Sequence, residues 1–223
     1  MTDHEQTNHE DDENIQDVKR KWEEEQITLQ AQLILSDEFL SWQPTNGMKY
    51  VGGVDISFNK DNKENPNDAV ASLVVCSYPQ LEVVYEAYHR VNMDLPYIPG
   101  YLGFREVPHL VDLVDELREK NPELVPDVIL VDGNGVLHPR GFGLACHLGV
   151  LSDIPTIGVA KNLLYMDGLT RELIREWTEE HLKKSGDVFQ LKGDSGTVHG
   201  VILKATDDAI RPLYVSPGHK ISL

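Results

Sequence analysis

Residues 128–150, VILVDGNGVLHPRGFGLACHLGV, join an apolar run to a segment rich in glycine and polar side chains. The apolar run ends at Asp132, and two histidines and an arginine follow within the same segment. A short continuous apolar run of this kind is typical of a strand that is buried on both faces. We therefore predict a buried strand whose carboxyl end presents an acid, glycines and cations, at the edge where open α/β sheets bind ligands.

The rest of the chain places this strand in an α/β order. Three β-rich runs precede it, and helical and β-rich segments alternate after it. The predicted helices cover residues 15–35, a segment from Phe104, 141–151 and 170–184. The predicted strands cover residues 48–58, 69–78, 81–91, 127–133, 155–160, 187–193, 197–205 and 212–216. This order indicates one α/β domain with a mixed central sheet flanked by helices.

The charge of the chain argues at first sight against a nucleic-acid partner. The 37 Asp and Glu and 20 Lys and Arg give a formal net charge of -17, whereas phosphate binding normally uses a basic surface. Part of the excess is local, because residues 1–14 form an acidic segment that we expect to be a disordered tail before a single domain over 15–223. Acids gathered around a metal would also add to the total without repelling a substrate.

Features of membrane or secreted proteins are not predicted by the sequence. The N-terminus lacks an apolar signal-peptide core, and apolar stretches such as VASLVVC are too short to cross a bilayer. Cys76 and Cys146 lie in apolar contexts without the spacing of metal ligands, which favours a reducing compartment. We therefore expect a cytoplasmic protein.

Three acids are candidates for chemistry. Asp55 lies inside the apolar strand VGGVDISF, where a buried carboxylate is costly unless it is paired or bound to a cation. Asp132 could equally be a turn-forming residue before glycine, and Glu106 could be an acid favoured by the first turn of a helix. If the first and central strands are neighbours, Asp55 and Asp132 face each other, and Glu106 approaches them from the helix.

Three carboxylates in that arrangement predict a metal site. They cannot all stay ionised close together without a counterion, and their hard oxygen ligands suit Mg²⁺, or Mn²⁺ as a substitute, but not Zn²⁺. A site of this kind typically polarises a phosphate and activates water for in-line displacement.

Cations at the same edge indicate contacts with phosphate. The backbone amides of GNG, which ends at Gly135, and the side chains of His138 and Arg140 could hold phosphate oxygens. Lys161 follows the strand PTIGVA and adds a cation at another carboxyl end. His147 could reach the site from the next helix, although a satisfied core histidine is the commoner outcome at such a position.

The stretch LPYIPGYLGFRE, residues 95–106, carries a separate signal. A tyrosine flanked by prolines on a glycine-bounded loop is suited to act as a wedge, because an aromatic ring can stack in place of a displaced base. The alternative is that Tyr97, Ile98 and Tyr101 cover the edge of the core.

Five segments taken together resemble the endonuclease V family in its eukaryotic form. They are VGGVDISF, PYIPGYLGFREVPHL, VDGNGVLHPRGFGLACHLGV, GVAKNLL and RPLYVSPGHKISL, and the similarity runs from about Trp22 to the C-terminus. The resemblance implies a ribonuclease H-like fold and Mg²⁺- or Mn²⁺-dependent cleavage at the second phosphodiester bond 3′ to inosine. It also implies a monomer that acts mainly on inosine-containing single-stranded RNA, with weaker action on deoxyinosine DNA, in the cytoplasm, nucleolus and stress granules.

The resemblance assigns roles to the candidate residues. It implies that three acids hold the metal and the attacking water, that a lysine, a histidine and an arginine contact the scissile phosphate, that a four-residue wedge enters the substrate, and that a pocket near GVLHPRGFG accepts hypoxanthine. In that order the residues are Asp55, Glu106 and Asp132; Lys161, His138 and Arg140; Pro96, Tyr97, Ile98 and Pro99; and, for further substrate contacts, Gly135 and His147.

One departure from the family keeps alternatives open. Family members continue past SPGHKISL with a helix and a later acidic residue, so we expect that this C-terminal helix is missing from the sequence. One alternative is therefore a protein that binds inosine without cutting, and another is a DNA-repair endonuclease for deaminated bases. A junction resolvase or a small-molecule α/β enzyme explains neither PYIP nor HPRGFG.

Overall fold

The computed structural model of the protein describes residues 3–40, 42 and 46–223, with side chains from residue 15 onward within those ranges. The described residues form four α-helices, eight strands and two short 3-10 helices. The α-helices are α1 (Asp3–Gln30), α2 (Leu102–Lys120), α3 (Leu144–Ser152) and α4 (Arg171–His181), and the 3-10 helices are Asp37–Phe39 and Pro122–Leu124. The strands are β1 (Tyr50–Phe58), β2 (Asp68–Ser77), β3 (Val83–Asn92), β4 (Val128–Val131), β5 (Thr156–Ala160), β6 (Val188–Lys192), β7 (Val198–Leu203) and β8 (Leu213–His219).

All eight strands belong to one mixed sheet with the order β3-β2-β1-β4-β5-β8-β7-β6. The first three strands form an antiparallel meander, and β1, β4 and β5 are parallel neighbours. Strands β8, β7 and β6 complete the sheet with antiparallel pairings. The predicted α/β class and mixed sheet are confirmed, as is the predicted pairing of the first and central strands.

The main core lies between one face of this sheet and the helices α2 and α3. The predicted stripe of α2 is confirmed, since Val107, Leu110, Val114 and Leu117 are all buried. They pack with inward residues of β1, β2 and β4. Burying each such side chain contributes about 1.5–3 kcal/mol, so this layer fixes α2 against the strands that carry the candidate acids.

The other face of the central strands is more open than the sequence predicted. Leu130, in the middle of β4, is 39% exposed, so β4 is not buried on both faces. It lines a hollow of about 430 Å³ with Val74 and Leu213. A continuous apolar run therefore identified the strand correctly but not what covers it.

The N-terminal helix differs in its limits from the predicted helix. Helix α1 spans Asp3–Gln30, so it begins and ends earlier than the predicted 15–35. The predicted disorder of residues 1–14 concerns residues whose side chains lie outside the described part of the chain, and it stays a prediction. None of the helices within the described ranges is both long and apolar enough to span a bilayer.

Candidate active site

Asp55 and Asp132 lie on neighbouring parallel strands at the same edge of the sheet. The register pairs Val54 with Val131, and the backbone N–H of Asp132 donates to Val54 O at 3.3 Å. Each acid is the next residue after its paired valine, so the two carboxylates leave adjacent carboxyl ends. Both line the open hollow on the exposed sheet face. The predicted juxtaposition is confirmed, but Asp55 is exposed, and the expectation that it is buried was wrong.

Glu106 is the buried acid of the group, because α2 packs tightly against the sheet there. Its side chain is 8% exposed, although it lies in the first turns of the helix. Burial raises the pKa of Glu106 to about 7, the Arg105 guanidinium opposes that rise, and Asp55 and Asp132 add to it. Since both aspartates act on the Glu106 carboxyl, the three acids form one electrostatic group.

Lys161 lies directly after β5 and contacts the acid group. Its Nζ donates to Asp132 Oδ2 at 2.5 Å, and this hydrogen bond raises the pKa of the lysine. Asp55 also contributes to that rise. Lys161 is therefore held in its charged form beside the acids, as predicted for a cation at this edge.

The acid group has the chemistry of a hard-cation site. Its three carboxylates supply only oxygen ligands, and the raised pKa of Glu106 shows that its negative charge is poorly compensated. The donor set therefore fits Mg²⁺ or Mn²⁺. In the part of the chain that the structure describes, however, no group of three or more His, Cys, Asp or Glu side chains is close enough together to hold a metal ion.

The loop before α2 divides into an exposed tip and a buried anchor. Tyr97 is 65% exposed, whereas Ile98 is buried in a cluster with Trp22, Tyr101 and Phe104. The flanking prolines, Pro96 and Pro99, are partly buried and exposed, respectively. The expectation that these residues cover the core edge thus holds for Ile98 and Tyr101, while Tyr97 is free to contact another molecule.

Arg140 has internal partners that hold this loop. Its guanidinium donates to Gln26 Oε1 and to Gly100 O, and it lies over the Tyr101 ring at 4.0 Å. Gln26 on α1 donates in turn to Phe142 O at 3.1 Å. The structure therefore connects the predicted phosphate contact Arg140 to the loop and to α1, and it shows no free guanidinium directed at the acids.

A small pocket of about 120 Å³ lies beside the loop, and we call it the Tyr97 pocket. It is lined by Gln26, Tyr97, Gly100, Leu102, Gly103, Phe104, Gly133, Asn134, His138, Phe142, Gly143, Leu144, His147 and Leu164. Burial lowers the pKa of both histidines to about 4, and Arg140 adds to the effect at His138. Both are therefore neutral at pH 7, and they line the pocket without adding charge to it.

The GNG turn closes the base of the Tyr97 pocket. The Gly135 amide donates to Ser216 Oγ at 3.0 Å, so this predicted phosphate ligand already has a partner. A Cβ at Gly135 would lie 2.0 Å from Pro217 O, so the turn requires glycine. Asn134 Oδ1 is buried and has no hydrogen-bond partner among the described residues.

Three residues of this region were not identified from the sequence. Trp22 stacks on Phe104 at 5.2 Å, and the Phe104 ring meets His147 edge-on at 4.8 Å. Gln26 interrupts the apolar stripe of α1, which is a signal that could have identified it as a polar contact. Asn134 gave no such signal, because asparagine between two glycines is common in turns.

Comparisons with known sequences agree on one family. A sequence model of the endonuclease V family matches residues 28–223. Human endonuclease V is 52% identical over 205 residues, which cover 91% of this chain and 71% of the human protein. The mouse endonuclease V is also 52% identical over 205 residues, which cover 91% of this chain and 60% of the mouse protein.

Solved structures give the same result for the fold. The catalytic domain of human endonuclease V superposes with a TM-score of 0.86 at 50% identity, covering 93% of this chain and 84% of that chain. Endonuclease V of Ciona intestinalis, in complex with DNA containing an inosine followed by a ribo-adenosine, gives a TM-score of 0.84 at 35% identity, covering 93% and 85%. The ribonuclease H-like fold that the resemblance implied is confirmed.

Proposed function

The chain belongs to the endonuclease V family, whose members are nucleases that hydrolyse phosphodiester bonds, and on this basis we propose that it is a metal-dependent endoribonuclease. Its proposed substrate is single-stranded RNA, cut at the second phosphodiester bond 3′ to inosine, with weaker action on deoxyinosine DNA. The observation that carries this proposal is the group of three acids, in which Asp55 and Asp132 on adjacent strands both raise the pKa of buried Glu106.

The proposed chemistry is an in-line attack of water on phosphorus. A divalent cation held by Asp55, Glu106 and Asp132 would polarise the phosphate and lower the pKa of water. A Glu106 carboxylate oxygen accepts the proton of the attacking water, a role suited to its pKa of about 7. The bond from phosphorus to the 3′ oxygen breaks, that oxygen takes a proton from solvent, and charged Lys161 stabilises the phosphate oxygens.

Recognition of the base is proposed for the Tyr97 pocket. Tyr97 fills the gap that the displaced base leaves, and the neutral walls of the pocket accept hypoxanthine. The unpartnered Asn134 Oδ1 supports this, because an acceptor suits the N1–H of hypoxanthine and repels the N1 lone pair of adenine. Arg140 is proposed to position the wedge through Gly100 and Tyr101, and not to contact phosphate.

The preference for RNA rests on the position of the cut. In the Ciona complex a ribo-adenosine follows the inosine, and the bond 3′ to that nucleotide is the one that we propose is cleaved. A 2′-hydroxyl next to the scissile phosphate is the group that separates RNA from DNA. We also propose that the enzyme acts as a monomer, because the acids, Lys161 and the Tyr97 pocket all come from one chain.

One observation favours a second candidate, a protein that binds inosine without cutting. The acids within the described residues are not gathered closely enough to hold a metal ion. The two candidates differ in one measurable property, since only the first requires both a divalent cation and Asp55.

The test is a denaturing gel of a 5′-labelled RNA with one inosine, run beside its adenosine twin and the matching deoxyinosine DNA. Each is incubated with Mg²⁺, Mn²⁺ or EDTA, and with Asp55→Asn in parallel. We expect one band that ends one nucleotide beyond inosine, present with metal, strongest with RNA and absent for Asp55→Asn. Cleavage in EDTA, or equal cleavage of the adenosine twin, contradicts the proposal, and tight binding without cleavage selects the second candidate.

A further inference from the structure

A second, larger pocket lies next to the acid group, on the side of α4. It has a volume of about 520 Å³, and we call it the arginine pocket. Its lining consists of Lys161, Asn162, Leu163, Arg171, Ile174, Arg175, Thr178, Glu179, Ile210, Arg211, Pro212 and Tyr214.

The charge of the arginine pocket is opposite to that of the whole chain. Four of its lining residues are cations and one, Glu179, is an acid, whereas acids outnumber cations 37 to 20 over the sequence. Of these cations, Lys161 contacts Asp132. Across the described residues, no ion pair involves Arg171, Arg175 or Arg211, and all three are exposed. Unpaired guanidiniums concentrated in a concave site are suited to phosphate oxygens.

Local structure holds two of these arginines on one face of a helix. Arg171 and Arg175 are four residues apart on α4 and therefore lie on the same side. Arg171 is the first residue of α4, whose N-cap Thr170 accepts from Leu173 N at 3.3 Å. The positive end of the helix dipole adds to the attraction for an anion at Arg171.

An exposed aromatic ring lies beside these cations. Arg171 lies 5.7 Å from the ring centre of Tyr165, and Tyr165 is 57% exposed. Cations combined with an exposed aromatic ring are the elements with which proteins bind single-stranded nucleic acid, through phosphate contacts and base stacking. A lone phosphate would use the arginines but would have no use for Tyr165.

The position of the pocket gives the strand a direction. Lys161 lines the arginine pocket and contacts Asp132, while Leu164, three residues later, lines the Tyr97 pocket. The two pockets therefore lie on either side of the segment that carries the lysine of the acid group. If inosine occupies the Tyr97 pocket, the nucleotides beyond the cut leave toward the arginine pocket.

We propose that the arginine pocket binds the phosphate backbone of the substrate strand on the 3′ side of the cut bond, with Tyr165 stacking on one of its bases. This inference rests on the proposed function for the direction of the strand, but the pocket itself is a binding site for single-stranded nucleic acid. It provides the basic surface that the net charge of the chain conceals.

The test compares two inosine RNAs by fluorescence anisotropy in EDTA, so that no cleavage occurs. One ends at the first nucleotide after the cut bond, and the other extends about six nucleotides further. We expect wild-type protein to bind the longer RNA about tenfold more tightly. The double variant Arg171→Gln/Arg175→Gln removes that advantage and flattens the dependence of log Kd on log salt concentration by about one unit.

A control double variant, Arg20→Gln/Lys192→Gln, removes the same net charge from exposed positions outside the pocket. It is expected to keep the advantage of the longer RNA. Tyr165→Ala should lose part of that advantage without changing the salt dependence. Equal affinity of wild type for the two RNAs, or an equal loss in the control, overturns the proposal, as does competition by inorganic phosphate as strong as competition by the longer RNA.

The same proteins separate this inference from the proposed function. If wild type cuts inosine RNA while the Arg171/Arg175 variant keeps the preference for the longer RNA, the pocket proposal fails and the proposed function stands. If wild type does not cut, but the variant loses the tighter binding of the longer RNA, the proposed function fails and the pocket stands.

Discussion

Two buried carboxylates of this protein have opposite surroundings. Asp68, at the start of β2, is 5% exposed, and Glu106, on α2, is 8% exposed. Asp68 accepts two bonds of 2.8 Å from Arg90 and further bonds from Asn59 and Asn62. Glu106 has no such set of donors, and two other acids lie near it.

The pKa values of the two acids follow from these surroundings. Hydrogen bonds from Arg90 and the asparagines hold the pKa of Asp68 well below its usual range, whereas burial raises that of Glu106 to about 7. A buried acid with satisfied oxygens stabilises the fold, while one that stays uncompensated lowers stability and is retained for chemistry. The comparison therefore separates a structural carboxylate from a functional one.

The largest expected effect is on catalysis. Glu106→Gln should lower the single-turnover rate of inosine RNA cleavage by at least about 10³-fold, because it removes both a metal ligand and a proton acceptor. Asp68→Asn should lower it by less than about tenfold, since its partners hold the β1–β2 loop and not the substrate. Comparable losses in the two variants break the distinction between them.

The next effect is on the stability of the metal-free protein. The folded pKa of Glu106 lies above its ordinary value of 4.5, so the folded state holds a proton that the unfolded state releases. Its contribution is neutral below about pH 4.5, and stability falls as pH rises toward about 7, by on the order of 3 kcal/mol at most. Urea unfolding in EDTA at pH 4.5, 6 and 8 measures this, and Glu106→Gln should be the more stable protein at pH 8. A variant that is less stable than wild type there contradicts the prediction.

Asp68 is expected to show the opposite sign. Its folded pKa is lowered, so its stabilising contribution is complete above the ordinary value of 3.8 and is lost as pH falls below it. Asp68→Asn should lower the Tm at pH 7 by about 5 °C, and the difference from wild type should shrink at pH 3. Differential scanning fluorimetry at both pH values checks this, with Asp61→Asn, an exposed acid on the same loop, as the matched control.

Asp167 provides a smaller version of the same effect. It accepts from Ser195 Oγ at 2.6 Å and lies 2.7 Å from His199 Nε2, and these contacts lower its pKa to about 2. Asp167→Asn should lower the Tm at pH 7 by about 2–4 °C without changing cleavage, and the loss should disappear as pH approaches 2. A loss of cleavage with an unchanged Tm would assign Asp167 to the functional class instead.

The positions of Asp55 and Glu106 show where prediction from sequence was accurate and where it was not. The sequence correctly predicted the strands that carry Asp55 and Asp132, because alternation and apolar runs are local properties. It predicted a buried Asp55 and allowed a solvent-exposed acid in the first turn for Glu106, and the structure reverses the two. Asp55 is on the open face of the sheet, while packing of α2 against β1–β4 buries Glu106.

Arg140 and Arg171 show the same division among the cations. In sequence Arg140 belongs to a polar segment after an acid, and it was predicted to bind phosphate. In the structure Gln26 and Gly100, both distant in sequence, accept its hydrogen bonds. Arg171 and Arg175 read as the exposed face of an amphipathic helix, and their pocket exists only because the segment Ile210–Pro212 lies opposite α4.

The sequence by itself determined the order of helices and strands, the edge at which the acids lie, and the resemblance to a family. These depend on side-chain periodicity and on motifs that are continuous along the chain. Only the tertiary structure decided which acid is buried, which arginine is already bonded and which arginines remain unpaired. Burial and hydrogen bonding depend on residues that are remote in sequence, and a carboxylate or guanidinium acquires its role from those neighbours.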